Sequence, residues 1–322
     1  MYRSTSFLPA LLAGVLASIA LSACTPPPPL RLAIHPWPGY AFIFMAREEG
    51  WLAPGRVSLH ETRTATESLA ALAEGQVDAA ALTLDEVLLA RARGIPLHIA
   101  LVFNVSIGAD KLVARPHVES LADIRGRRVG VETSALGELV FSHALAVAGL
   151  DASEVEIVPV DMDHGEAWEK LDLDALVTYE PTARQLMMAG AHSLYDSSQA
   201  PDTIFDVLAV RPEALRSRRA AVGALVEAHF RGLNALRTNP QDTAYRLAVH
   251  LDLPGDRVLG TYRGLSLPGP AGNRSYLEPG TGRLEAAARE LAEWMSGRGR
   301  IPESSDLSGL TTTEFLRPEA AR

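Results

Sequence analysis

Short apolar, β-branched runs alternate with helix-period segments at spacings of roughly 20–30 residues. They occupy most of the chain from residue 30 to residue 195. A strand can run parallel to its predecessor only if a crossover returns the chain, and a helix of this length supplies one. The alternation therefore predicts βαβ units, a parallel sheet and an α/β fold. Residues 30–34, 57–61, 77–82 and 97–105 read as strands. Residues 41–50, 64–74 and 84–93 read as helices, with Thr64 or Thr66 as a cap and Gly75 and Gly94 as stops. A turn at Ser106-Ile107-Gly108-Ala109-Asp110-Lys111 precedes a second set of units. Its strands are expected at 127–132, 155–160, 175–179 and from Leu194 onward.

From Arg218 the pattern becomes helical. Val222, Leu225, Val226, Phe230, Leu233 and Leu236 form one stripe, and further helices are expected at 241–250, 255–264 and 283–297. The expected organisation is a first lobe of residues 30–110 and 207–300, interrupted by a second of residues 111–206. Crossings fall near 107–115 and 206–211, and residues 301–322 read as a frayed polar tail. A ligand held between lobes joined by two strands can be enclosed by hinge closure.

The first thirty residues carry a different signal. Arg3 precedes an apolar segment of about fourteen residues, too short for a stable membrane span and suited to a signal-peptide core. It runs into Leu21-Ser22-Ala23-Cys24, which resembles a bacterial lipobox. Residues 1–23 are read as a signal peptide, and Cys24 as the lipid-bearing first residue of the mature protein. Residues 24–29 are a proline-rich spacer, extended at about 3 Å per residue. Cys24 is the only cysteine, so no intrachain disulfide forms and stability rests on the core. The remaining body, about 300 residues, is long enough for two lobes of ordinary size.

Composition and motifs narrow the chemistry. A net charge of −9 without a basic stripe argues against nucleic acid. No Gly-x-Ser-x-Gly elbow, phosphate loop or dinucleotide fingerprint occurs, and Arg125-Gly126-Arg127-Arg128-Val129-Gly130 lacks the needed glycines. Asp161-Met162-Asp163-His164 has no second histidine at ligand spacing and reads as a polar loop rather than a metal site. No cofactor is expected.

In an open α/β sheet small ligands bind beyond the carboxyl ends of the strands. The residues expected there are Trp37, Tyr40, Thr83, Ser106, Asp110, Ser134, Tyr179 and Glu180, with Asp85, Glu86, Thr133 and Asp161 close by. His35 adjoins the same turn. Trp37 and Tyr40 are either core aromatics or a cleft wall, and their place after the first strand favours the wall. Thr83 and Ser134 each follow a strand and precede a helix, where N-capping and ligand contact are compatible.

An ordered set of segments now carries a resemblance. It comprises Trp37-Pro38-Gly39-Tyr40 with Ala46, Gly50 and Trp51, then Gly75-Gln76-Val77-Asp78-Ala79, then Ser106-Ile107-Gly108-Ala109-Asp110. It continues in Leu121-Ala122-Asp123-Ile124-Arg125-Gly126 with Val129-Gly130-Val131-Glu132, and in Asp174-Ala175-Leu176-Val177-Thr178-Tyr179-Glu180-Pro181. The chain resembles the periplasmic substrate-binding proteins of ABC importers, in the SsuA/THI5-like group. That group takes nitrate, sulfonates, taurine and pyrimidine precursors. The resemblance implies a type II periplasmic-binding-protein fold, a monomer, and delivery of a small molecule to an ABC permease and ATPase. The turn after the first strand, the Thr83 turn, the Ser134 helix start and the Tyr179-Glu180 turn are implied to line the cleft. The pyrimidine-synthesising enzymes of the superfamily carry a cysteine-rich motif, which is absent here.

The expected cleft segments are poor in Arg and Lys and rich in acids. An anion site needs cations or N–H donors. Aromatics with carboxylates instead suit a flat heterocycle or a cationic amine. The expectation is therefore a solute-binding lipoprotein for a neutral or cationic organic molecule, outside the cytoplasm and not an enzyme. The alternatives are a ligand sensor for a membrane kinase, a nitrate or sulfonate binder, and a cleft enzyme.

Overall fold

A computed structural model describes residues 27–316. The signal segment, Cys24 and the last residues of the tail lie outside the described residues. Among those described, no helix is long and apolar enough to cross a membrane.

Eleven strands are described: β1 (Leu30–Ile34), β2 (Val57–Glu61), β3 (Ala79–Thr83), β4 (His98–Ser106), β5 (Asp110–Ala114), β6 (Arg128–Glu132), β7 (Glu156–Val160), β8 (Ala175–Tyr179), β9 (His192–Asp196), β10 (Phe205–Val210) and β11 (Leu265–Ser266). They form two sheets, ordered β11-β4-β10-β3-β1-β2 and β7-β6-β8-β5-β9. Helices α1 (Ala41–Glu48), α2 (Ala65–Ala73) and α3 (Leu84–Ala92) connect successive strands of the first sheet. Helices α4 (Ala135–Ala148), α5 (His164–Lys170) and α6 (Thr182–Met188) do so in the second. β1 lies parallel to β2 and β3, and β6 to β7 and β8, as βαβ units require. Each sheet with its helices forms one lobe. β3 and β10 are buried along their whole length, which explains their mainly apolar sequences.

The structure departs from the sequence reading in four places. The sheets are mixed: β10 runs antiparallel to β3 and β4, and β5 antiparallel to β8 and β9. A chain returning from the second lobe enters the first at the end it left, so its strand must run backwards. For the same reason the crossings lie at 107–109 and 197–204; residues 206–210 are already a sheet strand. Two helices, Pro212–Ser217 and Pro270–Leu277, begin with proline at the first helical position, where a missing N–H costs nothing. The tail is not frayed through residue 316. Leu310 and Leu316 are buried, the Ile99 N–H donates to the Leu310 carbonyl at 2.7 Å, and Thr312 N–H donates back to Ile99 at 3.0 Å. Arg91 holds the Asp306 and Ser308 carbonyls. β11 covers only the Val105–Ser106 end of β4; the tail pairs with Ile99 at the other end, and the Asn273 side chain takes the Val102 N–H and carbonyl between them.

Candidate functional site

The carboxyl ends of β1, β3, β6 and β8 point to the lobe junction. The amino ends of β5 and β10 meet them there because both strands are antiparallel to their neighbours. The residues gathered around the cavity are His35, Trp37, Ala65, Thr83, Glu86, Asp110, Glu132, Ser134, Leu136, Tyr179, Ile204 and Asp206. Its volume is about 40 Å³, room for only a few waters. The lobes are shut over it. Trp37 of the first lobe meets Tyr179 of the second edge-on, ring centroids 5.8 Å apart. Arg184 Nη2 donates across the junction to the Gly260 carbonyl at 2.8 Å, and Arg300 Nε to Glu138 at 2.9 Å.

Five of the eight residues expected at the cleft line this cavity: Trp37, Thr83, Asp110, Ser134 and Tyr179. Three do not. Tyr40 is fully buried beneath it, and its hydroxyl donates to Asp206 Oδ1 at 2.6 Å. Ser106, the last residue of β4, faces the second crossing instead, with its Oγ 2.7 Å from Ser197 Oγ. Glu180 turns away into a separate groove lined also by Lys111, Arg184 and Arg263. His35 and Glu132 also line the cavity; Asp206 and Asn104 carry no sequence signal beyond a polar residue within an apolar strand.

Asn104 organises the floor. Its Oδ1 accepts from Trp37 Nε1 at 2.9 Å, and its Nδ2 donates to Asp206 Oδ2 at 2.6 Å. Both Asp206 oxygens are thus held. Glu86 accepts the Thr83 N–H at 2.9 Å at the start of α3. Ser134 caps α4, accepting from Gly137 N–H at 3.0 Å, and donates to Glu132 at 3.2 Å. Asp110 is only 3% exposed, and its Oδ2 has no hydrogen-bond partner.

The electrostatics follow from this crowding. The lining contains four acids and no Lys or Arg. Burial pushes Asp110 up to about 6 and Asp206 up to about 7. Asp85, buried just behind the lining, is likewise pushed up to about 6. Burial, then the nearby Asp85 charge, raises Glu86 well above the usual carboxylate range, and burial raises Glu132. Burial lowers His35 and His164 to about 4, so neither ring supplies a positive charge near neutrality.

A pH dependence of stability follows. An acid whose pKa is higher in the folded than in the unfolded chain binds extra protons when folded, so stability falls as pH rises through the folded value. Buried His35, His164 and His229 oppose this below their ordinary value of 6.5, because the unfolded chain then binds the extra protons. Above about pH 7.5 the histidines are neutral in the unfolded chain as well, and only the acids remain, chiefly Glu86. The ligand-free protein is expected to lose about 1 kcal/mol, or about 1–2 °C in Tm, between pH 7.5 and 8.5. Differential scanning calorimetry checks this, and a Tm that rises over that interval contradicts it.

Comparison with known proteins was made on sequence and on structure. A protein of Brucella abortus named "Putative binding protein BAB2_1146" is 25% identical over 130 residues, covering 36% of this chain and 41% of its own length. The matched region thus spans about two-fifths of the curated relatives. The periplasmic aliphatic sulphonate binding protein SsuA from Escherichia coli superposes with a TM-score of 0.72 at 18% identity, over 90% of this chain and 99% of its own. The enzyme DszB, solved as a mutant with biphenyl-2-sulfinic acid, superposes with a TM-score of 0.67 at 19% identity, over 89% and 97%. Likeness at these identities establishes the fold, that of the periplasmic binding proteins. The family model described as NMT1/THI5 like matches residues 37–243, well over half of the chain, and the chain belongs to that family.

Proposed function

We propose that the chain is an extracytoplasmic solute-binding lipoprotein. It captures a small, flat or cationic organic molecule between its lobes and delivers it to an ABC import permease. The observation that carries the reading is the interlobe cavity, walled by Trp37 and Tyr179 and lined by Glu86, Asp110, Glu132 and Asp206 with no Lys or Arg. A cation placed there gains ring faces and carboxylates together. An alkanesulfonate or nitrate would meet four acids and no Lys or Arg, so its buried charge would lack a counter-ion. DszB, an enzyme, shares the fold; among the described residues lining the cavity there is no cysteine, and among the described residues no group of His, Cys, Asp or Glu that could hold a metal ion.

Native mass spectrometry of the protein as purified tests the reading, with a basic or heterocyclic small molecule as the expected passenger. Recovery of a sulfonate, or turnover of the passenger, overturns it. The anchor has its own test. Cys24→Ala is expected to abolish lipid labelling in cells and to release unprocessed protein from the membrane fraction. A variant still labelled by radioactive palmitate removes the lipoprotein assignment.

A further inference from the structure

We infer that the cavity takes its cation in exchange for a proton: when a positively charged solute seats against Asp110, the carboxyl cluster of Glu86, Asp110, Glu132 and Asp206 gives up about one proton to solvent. The inference rests on the reading of this cavity as a site for an organic cation and adds what accompanies binding.

The geometry supplies the need for protons. Four carboxyl groups face one small space between the lobes, and Asp85 lies buried behind them with its Oδ2 unpartnered. Like charges this close in a poorly hydrated space cannot all ionise. The groups facing them from each packed element offer no relief. His35 from the end of β1 and His164 from α5 are neutral. Tyr40 and Tyr179 are held in their uncharged forms by burial and by the acids themselves. Lys111 on β5 directs its ammonium to the Gly108 carbonyl. Glu180 adds another buried acid, itself beside Arg184. Without a cation beside them, these carboxyl groups are therefore kept neutral by protons of their own.

The geometry also says where a cation enters. Asp206 has both oxygens engaged, by Tyr40 and Asn104. Glu86 accepts from the backbone and Glu132 from Ser134. Asp110 Oδ2 is a fully buried lining carboxylate oxygen without a partner, in a side chain almost wholly buried. A cation paired there lowers the proton affinity of its neighbours through the same fields that raise it in its absence. One carboxylic O–H bond then breaks, the proton passes to water, and a carboxylate remains; the charge inside the cavity is conserved. Capture is thereby favoured at neutral pH and weakened by acid.

Isothermal titration calorimetry tests this with N-methylpyridinium, a flat permanent cation that cannot itself titrate, and with toluene as its neutral isostere. Runs at pH 6 in two buffers of different ionisation heat give the number of protons released. The expected result is about one proton per N-methylpyridinium bound, affinity rising about tenfold from pH 5.5 to 6.5 and levelling above pH 8, with no pH slope for toluene. Binding of the cation with no proton released overturns the exchange and leaves the cation reading standing. Failure of N-methylpyridinium to bind between pH 5.5 and 8.5 overturns both.

Discussion

Asp110→Asn is expected to weaken binding of an organic cation by at least about 100-fold while raising the thermal stability of the ligand-free protein. The two effects have opposite signs for one reason. Asp110 is buried without a cationic partner, its Oδ2 is unpaired, and burial lifts its pKa to about 6. In the free protein the carboxyl is a liability: above pH 6 it carries a buried charge repelled by Asp85. An amide of the same shape removes that charge and relieves its neighbours. In the complex the same carboxylate is the direct counter-ion, and losing a buried charged partner typically costs 2–5 kcal/mol. Calorimetric titration and thermal melts at pH 7.5 read the two effects separately. A variant that loses binding and stability together indicates that Asp110 serves the hinge rather than the ligand. A variant that binds as wild type removes Asp110 from the site.

The α/β alternation was legible because strand and helix periods differ and each element is bounded by Gly, Pro or a capping residue. The antiparallel course of β10 was not, because strand direction is a property of the return path and leaves no mark on six residues. Asp206 and Asn104 were hidden for a related cause. Each sits in an apolar run whose neighbours are wholly buried, and nothing local says that two such polar residues will meet across β10 and β4. Position at a strand end places Trp37, Thr83, Asp110, Ser134 and Tyr179 around the interlobe cavity. It was too coarse for adjacent residues. Successive side chains at a strand end point to opposite faces, so Tyr179 meets the cavity while Glu180 enters the outer groove. Trp37 and Tyr40 part company in the same way across a 3-10 turn (Pro38–Tyr40), one facing the cavity and one descending to Asp206. The acidic character of the cleft was readable from residue types alone, since a lining assembled from strand ends inherits whatever charges those ends carry.

Gly39→Ala is expected to cost about 3 kcal/mol of stability and to weaken ligand binding at least about tenfold, although Gly39 does not line the cavity. Gly39 sits inside the aromatic turn, and a β-carbon there would lie 1.8 Å from Asn104 Oδ1 and 2.9 Å from its Cγ. Asn104 cannot step aside cheaply. Its Oδ1 holds the Trp37 indole and its amide holds Asp206, so displacement strands two buried polar groups. If the turn moves instead, Trp37 leaves its place against Tyr179, and the Tyr262 hydroxyl loses the Pro38 carbonyl it reaches at 2.8 Å. Either way the cavity wall and floor shift together, which links a backbone position to affinity. Gly55→Ala is the control, because nothing lies within 4 Å of a β-carbon there and the backbone is not in the left-handed region. Its effect is expected to stay within about 0.5 kcal/mol. Urea unfolding of both variants, with titration of the same ligand, makes the comparison. Equal stability in the two would mean that the turn has slack, and that the hydrogen-bonded chain from Trp37 through Asn104 to Asp206 does not set the shape of the site.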